Sequence, residues 1–217
     1  MTRNILIAGA GPGVSGSLAR LYASEGAQVA LLGAEPAVLS TLSSEVEAAG
    51  GTVESAVVDL TDDTATRSVV TRLAEKLGRL DVVHFNPSAY REKDPLSLSP
   101  DELLEDVRLG VGALLTLVQA ARPFMGPGGR ISVTGSMAAD SPWYGAASLG
   151  VQKAGVQNLV RSIDAALKGD RIRAVSVTVR GLLAKEGPFA PDSVAQALRA
   201  AVDQDEADWR AELPYDG

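Results

Sequence analysis

The 217 residues include no cysteine, which excludes disulfides, thiolate nucleophiles and cysteine-held metals. Histidine occurs once, as His84, too little for an ordinary zinc site, so no metal is expected. Positive charge is also scarce. The formal net charge is −7 and the basic residues are scattered, so phosphate backbones are repelled and no nucleic-acid partner is expected. No window reaches the ~18 uninterrupted apolar residues of a membrane span. The opening "MTRNILIAGAGPG" lacks the apolar core and cleavage site of a signal peptide. A cytoplasmic protein with no membrane partner is the expectation.

What is present is ordinary globular composition, 46% hydrophobic and 22% charged, with enough length for a substantial core. Short apolar runs alternate with amphipathic ones. Strands are expected at 4–8, 28–32, 53–58, 81–86, 130–134, 171–178 and 211–215, and helices at 14–24, 36–49, 62–77, 100–122, 145–167 and 191–202. The strands are continuous apolar runs, as in strands covered on both faces. Repeated strand–helix pairs imply right-handed crossovers. The expected fold is a single α/β domain over residues 1–217, a doubly wound, Rossmann-type parallel sheet of about seven strands. "MGPGGR" at 125–130 is read as a helix-to-strand turn.

After the first strand comes "AGAGPGVSG", then a helix. Glycines permit close backbone approach to a ligand, and a helix N-terminus favours a pyrophosphate. Gly9, Gly11, Gly13 and Val14 are therefore candidate nucleotide contacts; a tight turn without a ligand is the other reading. "VVDL" ends the third strand with Asp59, a carboxylate suited to an adenine amino group or, equally, to a helix cap or loop hydrogen bond. "FNPSA" ends the fourth strand, and ligands of such folds gather at the carboxyl ends of strands.

With these segments in view, the chain resembles the short-chain dehydrogenase/reductase family from about Asn4 to Gly217. "AGAGPGVS" is similar to the family's glycine motif, "DLTD" (59–62) to its DVT-like segment, and "FNPS" (85–88) to its NNAG segment, with Asn86 kept. "LVQAARPFM" (117–125), "GGRISVTGS" and "ELPYDG" resemble its helix-four signature, serine-bearing strand and closing strand. The resemblance implies an NAD(P)-dependent oxidoreductase acting on a small molecule. It implies cofactor contacts from Gly9, Gly11, Gly13, Val14, Gly33, Asp59, Leu60, Asn86, Pro87 and Lys153. It also implies a homodimer or homotetramer, built through the two long helices at 100–122 and 145–167.

The family's active set is Asn–Ser–Tyr–Lys. Ser136 and Lys153 match it. The tyrosine position, four residues before the lysine, is Leu149, and the helix-four asparagine falls at Gly110. Proton transfer by a positioned group typically contributes ~10²–10⁴-fold, so the loss matters. Tyr144 is the candidate substitute. On a continuous helix it would lie ~13.5 Å from Lys153 along the axis and on another face, but "SPWYG" reads as a loop able to fold back towards Ser136. The alternative is that Trp143 and Tyr144 pack over the sheet edge or line a pocket. The expected catalytic set is thus Ser136, Tyr144 and Lys153.

"LGAEP" (32–36) at the end of the second strand and Pro12 in the glycine turn offer no cation for a 2′-phosphate, which favours NAD over NADP. The substrate loop at 180–190 is short. Arg180 there is a candidate anion contact or a surface ion pair. His84 is read as a satisfied core histidine. A non-redox enzyme on the same scaffold (cyclase, dehydratase or isomerase) and a non-catalytic nucleotide-binding protein remain the rival functions.

Overall fold

A computed structural model describes residues 2–217. Seven parallel strands form one sheet: β1 (Asn4–Ala8), β2 (Gln28–Gly33), β3 (Thr52–Val57), β4 (Leu80–Phe85), β5 (Met125–Ser136), β6 (Arg173–Val179) and β7 (Glu212–Tyr215). Their spatial order is β3-β2-β1-β4-β5-β6-β7. The helices are α1 (Val14–Ser24), α2 (Pro36–Ala48), α3 (Asp63–Leu77), α4 (Pro100–Val107), α5 (Ala113–Ala121), α6 (Ala147–Leu167) and α7 (Pro191–Ala201).

The side-chain alternation of each strand feeds two cores. Leu6, Ala8, Val83, Phe85, Ile131 and Val133 pack with Leu73 of α3, Leu114 and Leu117 of α5, and Val156 and Val160 of α6. Their neighbours Ile5, Ile7, Val29, Leu31, Val82, Val175 and Val177 pack with Leu18 and Tyr22 of α1, Leu42 of α2, and Val194 and Leu198 of α7. Burial on both faces explains why the strands read as unbroken apolar runs.

Two expected elements are altered. The helix expected over 100–122 is broken by a π-helical turn, Arg108–Gly112, between α4 and α5. Within this turn Gly110 packs closely on α6: a Cβ there would stand 2.3 Å from the Gln152 Oε1. "MGPGG" is not simply a turn. Met125 pairs with Leu80 and the ladder resumes at Arg130–Val82, so β5 begins earlier, across an irregularity. Smaller shifts occur at ends: α6 starts at Ala147 after a 3₁₀ turn at Tyr144–Ala146, and β6 starts at Arg173 because Arg171 is left-handed (φ 59°).

At the amino edge of the sheet, Arg173 is buried beneath α6. Its Nε and Nη2 donate to Asp164 at 2.9 and 2.8 Å, and its Nη1 donates to Glu206 at 3.1 Å. The guanidiniums of Arg130 and Arg173 lie over the Trp209 ring, at 5.0 and 4.8 Å from its centre. This cluster fastens the segment after α7 to the sheet. Among the described residues no helix is long and apolar enough to cross a membrane.

Candidate active site

The strand order reverses between β1 and β4, which opens a crevice at their carboxyl ends. Gly9 and Pro87 pack against each other beneath it and do not line the cleft itself. Gly9 has φ +78°, and a Cβ there would lie 2.7 Å from the Pro87 ring, so the two turns pack closely only because the residue is glycine. Asn86 ties them together: its backbone N–H donates to the Ala8 carbonyl at 3.0 Å and its Nδ2 to the Gly9 carbonyl at 3.4 Å. Ser15 staples the glycine turn, accepting from the Gly11 N–H at 2.9 Å and donating to the Gly9 carbonyl at 3.0 Å.

A cleft of about 340 Å³ opens above these turns, lined by Gly11, Gly13, Val14, Asn86, Ser136 and Lys153 among others. Four segments distant in sequence thus converge. The N-terminus of α1 faces them with neither a side-chain cap nor an acidic residue in its first turn, an arrangement that suits an anion. Ser88, Thr134, Gly135, Leu149, Val179 and Leu183 complete most of the wall.

Ser136 ends β5. Its Oγ accepts from the Ala138 N–H at 3.2 Å, so its own proton remains to be donated. Lys153, 6% exposed, donates from Nζ to the Thr134 carbonyl at 3.0 Å. Burial alone pushes its amine down to about 8. His84 is fully buried below. Its Nδ1 lies 2.8 Å from Ser132 Oγ and its Nε2 3.3 Å from Thr134 Oγ1, which donates to Asn86 Oδ1 at 2.8 Å. Burial first, and the Lys153 charge second, push the imidazole down to about 3, so it is neutral at ordinary pH.

Tyr144 is not brought to this cleft. It is 74% exposed and lines an apolar groove with Pro142, Trp143, Ala147, Gly150 and Val151, on the far side of α6. The cause is the path of the preceding loop. It crosses the Gly150 face, where a Cβ would stand 2.8 Å from Pro142, whereas Leu149 and Lys153 face the cleft. Asp59 makes the loop bonds that were one reading of it: its Oδ1 accepts from Thr61 N and Oγ1 at 2.9 and 2.7 Å, and these bonds hold its carboxyl below the usual value. The Leu60 side chain belongs to the core. Gly33 ends β2 against the Ala10 carbonyl. Arg180 lies 3.6 Å from Asp216, a surface ion pair.

Gln152 escaped sequence reading. It is fully buried, accepts from the Ala89 N–H at 2.9 Å, and donates to the Ala89 and Ser148 carbonyls at 3.2 Å. It pins the loop carrying Ser88 beside the cleft. The only signal for it was a polar residue next to Lys153 within the small and apolar first turns of α6. Arg91 clamps the same loop to α4, with Nε and Nη2 donating to Asp106 at 3.0 Å.

The chain is similar to known proteins. The chain is 27% identical over 214 residues to the oxidoreductase UcpA of Escherichia coli K12, covering 92% of this chain and 80% of that protein. It is 27% identical over 174 residues to meso-2,3-butanediol dehydrogenase of Serratia marcescens, covering 80% and 68%. A metagenomic short-chain oxidoreductase solved in complex with NADP superposes with a TM-score of 0.86 at 25% identity, covering 98% of this chain and 95% of that one. The family model described as short chain dehydrogenase matches residues 3–184, from the first strand through the serine, the lysine and Leu183. The chain belongs to the short-chain dehydrogenase family.

Proposed function

We propose that this chain is an NAD-dependent oxidoreductase. It interconverts a small-molecule carbonyl and the corresponding alcohol by hydride transfer, in a site without the family's tyrosine and helix-four asparagine. The observation that carries the reading is the single cleft in which the glycine turn, Asn86, Ser136 and Lys153 meet. A nicotinamide dinucleotide fits these residues. The turn at Gly11–Val14 and the α1 N-terminus suit its pyrophosphate, Asn86 and Lys153 suit its nicotinamide end, and Gly33 lies where β2 ends. A bound nicotinamide supplies the hydride.

The chain's own groups do the rest. Ser136 donates a hydrogen bond to the substrate oxygen. Leu149, Val179 and Leu183 give the cleft an apolar wall, Leu183 coming from the short 180–190 segment at its mouth. The groove beside Pro12 is lined by Glu45, whose carboxylate accepts from Arg20 at 2.7 Å, so that cation is already engaged. This favours NAD over NADP. Leu104, Leu115 and Val151 on α4, α5 and α6 are exposed apolar side chains that suit packing against a second copy.

Calorimetry with NADH and NADPH, followed by cofactor oxidation in the presence of a panel of aldehydes and ketones, tests the reading. Tighter NADH binding and carbonyl-dependent turnover are expected. Binding of neither cofactor at millimolar concentration would remove it. Cofactor binding with no turnover across the panel would favour a non-redox enzyme on this scaffold.

A further inference from the structure

We infer that Lys153 itself carries the substrate's proton in this site, acting as the general acid–base rather than as an aid to a tyrosine. The inference rests on the oxidoreductase reading above. It begins with an elimination. Among the residues lining the cleft, Lys153 alone has a side chain that ionises in the ordinary pH range. Leu149, one helical turn earlier, is hydrocarbon. The chain has four tyrosines, and none reaches the cleft. Tyr144 lies in the groove across α6, and Tyr22 is buried in the core beneath α1. The Tyr215 hydroxyl donates to the Pro188 carbonyl, and Tyr90 projects from the loop after β4. Both ring nitrogens of His84 face hydroxyls within the sheet.

The geometry suits the role. The Lys153 amine is delivered to the Thr134 carbonyl, two residues from Ser136 on the same strand end. An ammonium has three N–H groups, and this contact uses one. No counter-charge holds the proton in place. The charged groups on neighbouring elements are committed elsewhere: Asp106 on α4 to Arg91, Glu212 on β7 to Arg161 and Gln157, and Asp216 to Arg180. Neutral His84 is the titratable neighbour on β4. Burial without a partner brings the amine near working pH, the condition under which an acid–base group is most effective.

In the reducing direction the carbonyl carbon gains a hydride from the reduced nicotinamide, which is oxidised. The carbonyl π pair moves onto oxygen, an O–H bond forms there, and one Lys153 N–H bond breaks. The neutral amine then regains a proton from solvent. In the oxidising direction the neutral amine takes the hydroxyl proton.

Three measurements on wild type and Lys153→Arg test this: NADH and NADPH affinity by calorimetry, reduction of the carbonyl panel, and NMR titration of the ε-amine, its resonance assigned by its absence in Lys153→Met. Arginine keeps a cation and donors but cannot release a proton. The expected result is an amine midpoint near pH 8, a variant that still binds cofactor at millimolar concentration, and reduction at saturating cofactor slowed ~10²–10⁴-fold. Wild-type reduction should fall, and alcohol oxidation rise, as pH passes through about 8. Lys153→Arg turning over at the wild-type rate, or an amine midpoint at the ordinary lysine value, overturns this inference alone. A wild-type protein that binds neither cofactor, or binds without reducing any carbonyl, overturns the oxidoreductase reading and this inference with it. Because the amine titration is read on wild type, a folding defect in the variant does not decide the matter.

Discussion

Two cations are buried at opposite edges of one sheet, and the fold treats them in opposite ways. Arg173, 5% exposed, meets Asp164 through paired hydrogen bonds, reaches Glu206, and stacks on Trp209. Lys153, 6% exposed, receives one backbone carbonyl and no carboxylate. The Asp164 hydrogen bonds raise the guanidinium above its ordinary value, whereas burial drops the amine. A fully partnered charge is fixed and serves as architecture. An unpartnered one lies close to giving its proton away, and this one sits beside the strand ends, in the cleft with Ser136 and Asn86. The difference separates a clamp from the group we propose as the acid–base.

The largest effect should come from breaking the clamp. Asp164→Ala removes both arginine bonds and an acceptor for the Ala174 N–H at 2.8 Å, leaving a buried guanidinium short of charge. Urea denaturation should register a loss of about 3–5 kcal/mol. A change below 1 kcal/mol would mean that Glu206 and Trp209 suffice.

Removing the other cation should act in the opposite sense. The folded protein holds the Lys153 proton less tightly than the unfolded chain does, with a value of about 8 against 10.5. Below about pH 8 both states are charged and folding bears the full penalty; the penalty fades as pH climbs towards the unfolded value. That penalty is about 3 kcal/mol, partly offset by the bond to Thr134, about 1 kcal/mol. Lys153→Met should therefore stabilise the protein by about 2 kcal/mol at pH 7 and hardly at all at pH 10. Equal gains at both values would show that charge burial is not the cause.

Smaller effects probe what surrounds Lys153. Gly110→Ala forces a methyl into the Gln152 amide. The crowding should outweigh the gain in helix propensity by about 1 kcal/mol, visible as a lower urea midpoint. Tyr144→Phe should change stability by less than ~0.5 kcal/mol and leave turnover untouched. A drop in kcat would return that hydroxyl to the chemistry and remove the case for Lys153.

How far the sequence could be read follows from the same division. The sheet was legible because β1, β2, β4 and β6 are buried on both faces and are therefore largely apolar, with the few polar residues among them hydrogen-bonded or paired for the most part. The convergence of Gly11, Gly13, Asn86, Ser136 and Lys153 was legible because a doubly wound topology brings strand ends together whatever the loops do. The place of Tyr144 was not, since it depends on which side of α6 the preceding loop crosses, a matter decided by Pro142 packing on Gly150. Nor was the π turn, where Gly110 meets Gln152 across some forty residues of chain. Asp59 could be read two ways, and its Thr61 bonds are a local matter that no strand pattern encodes.

The two guanidiniums at Trp209 also give the molecule an optical reporter. The chain has two tryptophans. Trp143 already faces solvent in the folded state, so unfolding alters its surroundings little. Trp209 leaves two guanidiniums and enters water when the amino edge of the sheet opens. Its emission therefore follows the loss of the clamp, and Trp143→Phe would leave a single-site signal for the half of the molecule that does no chemistry.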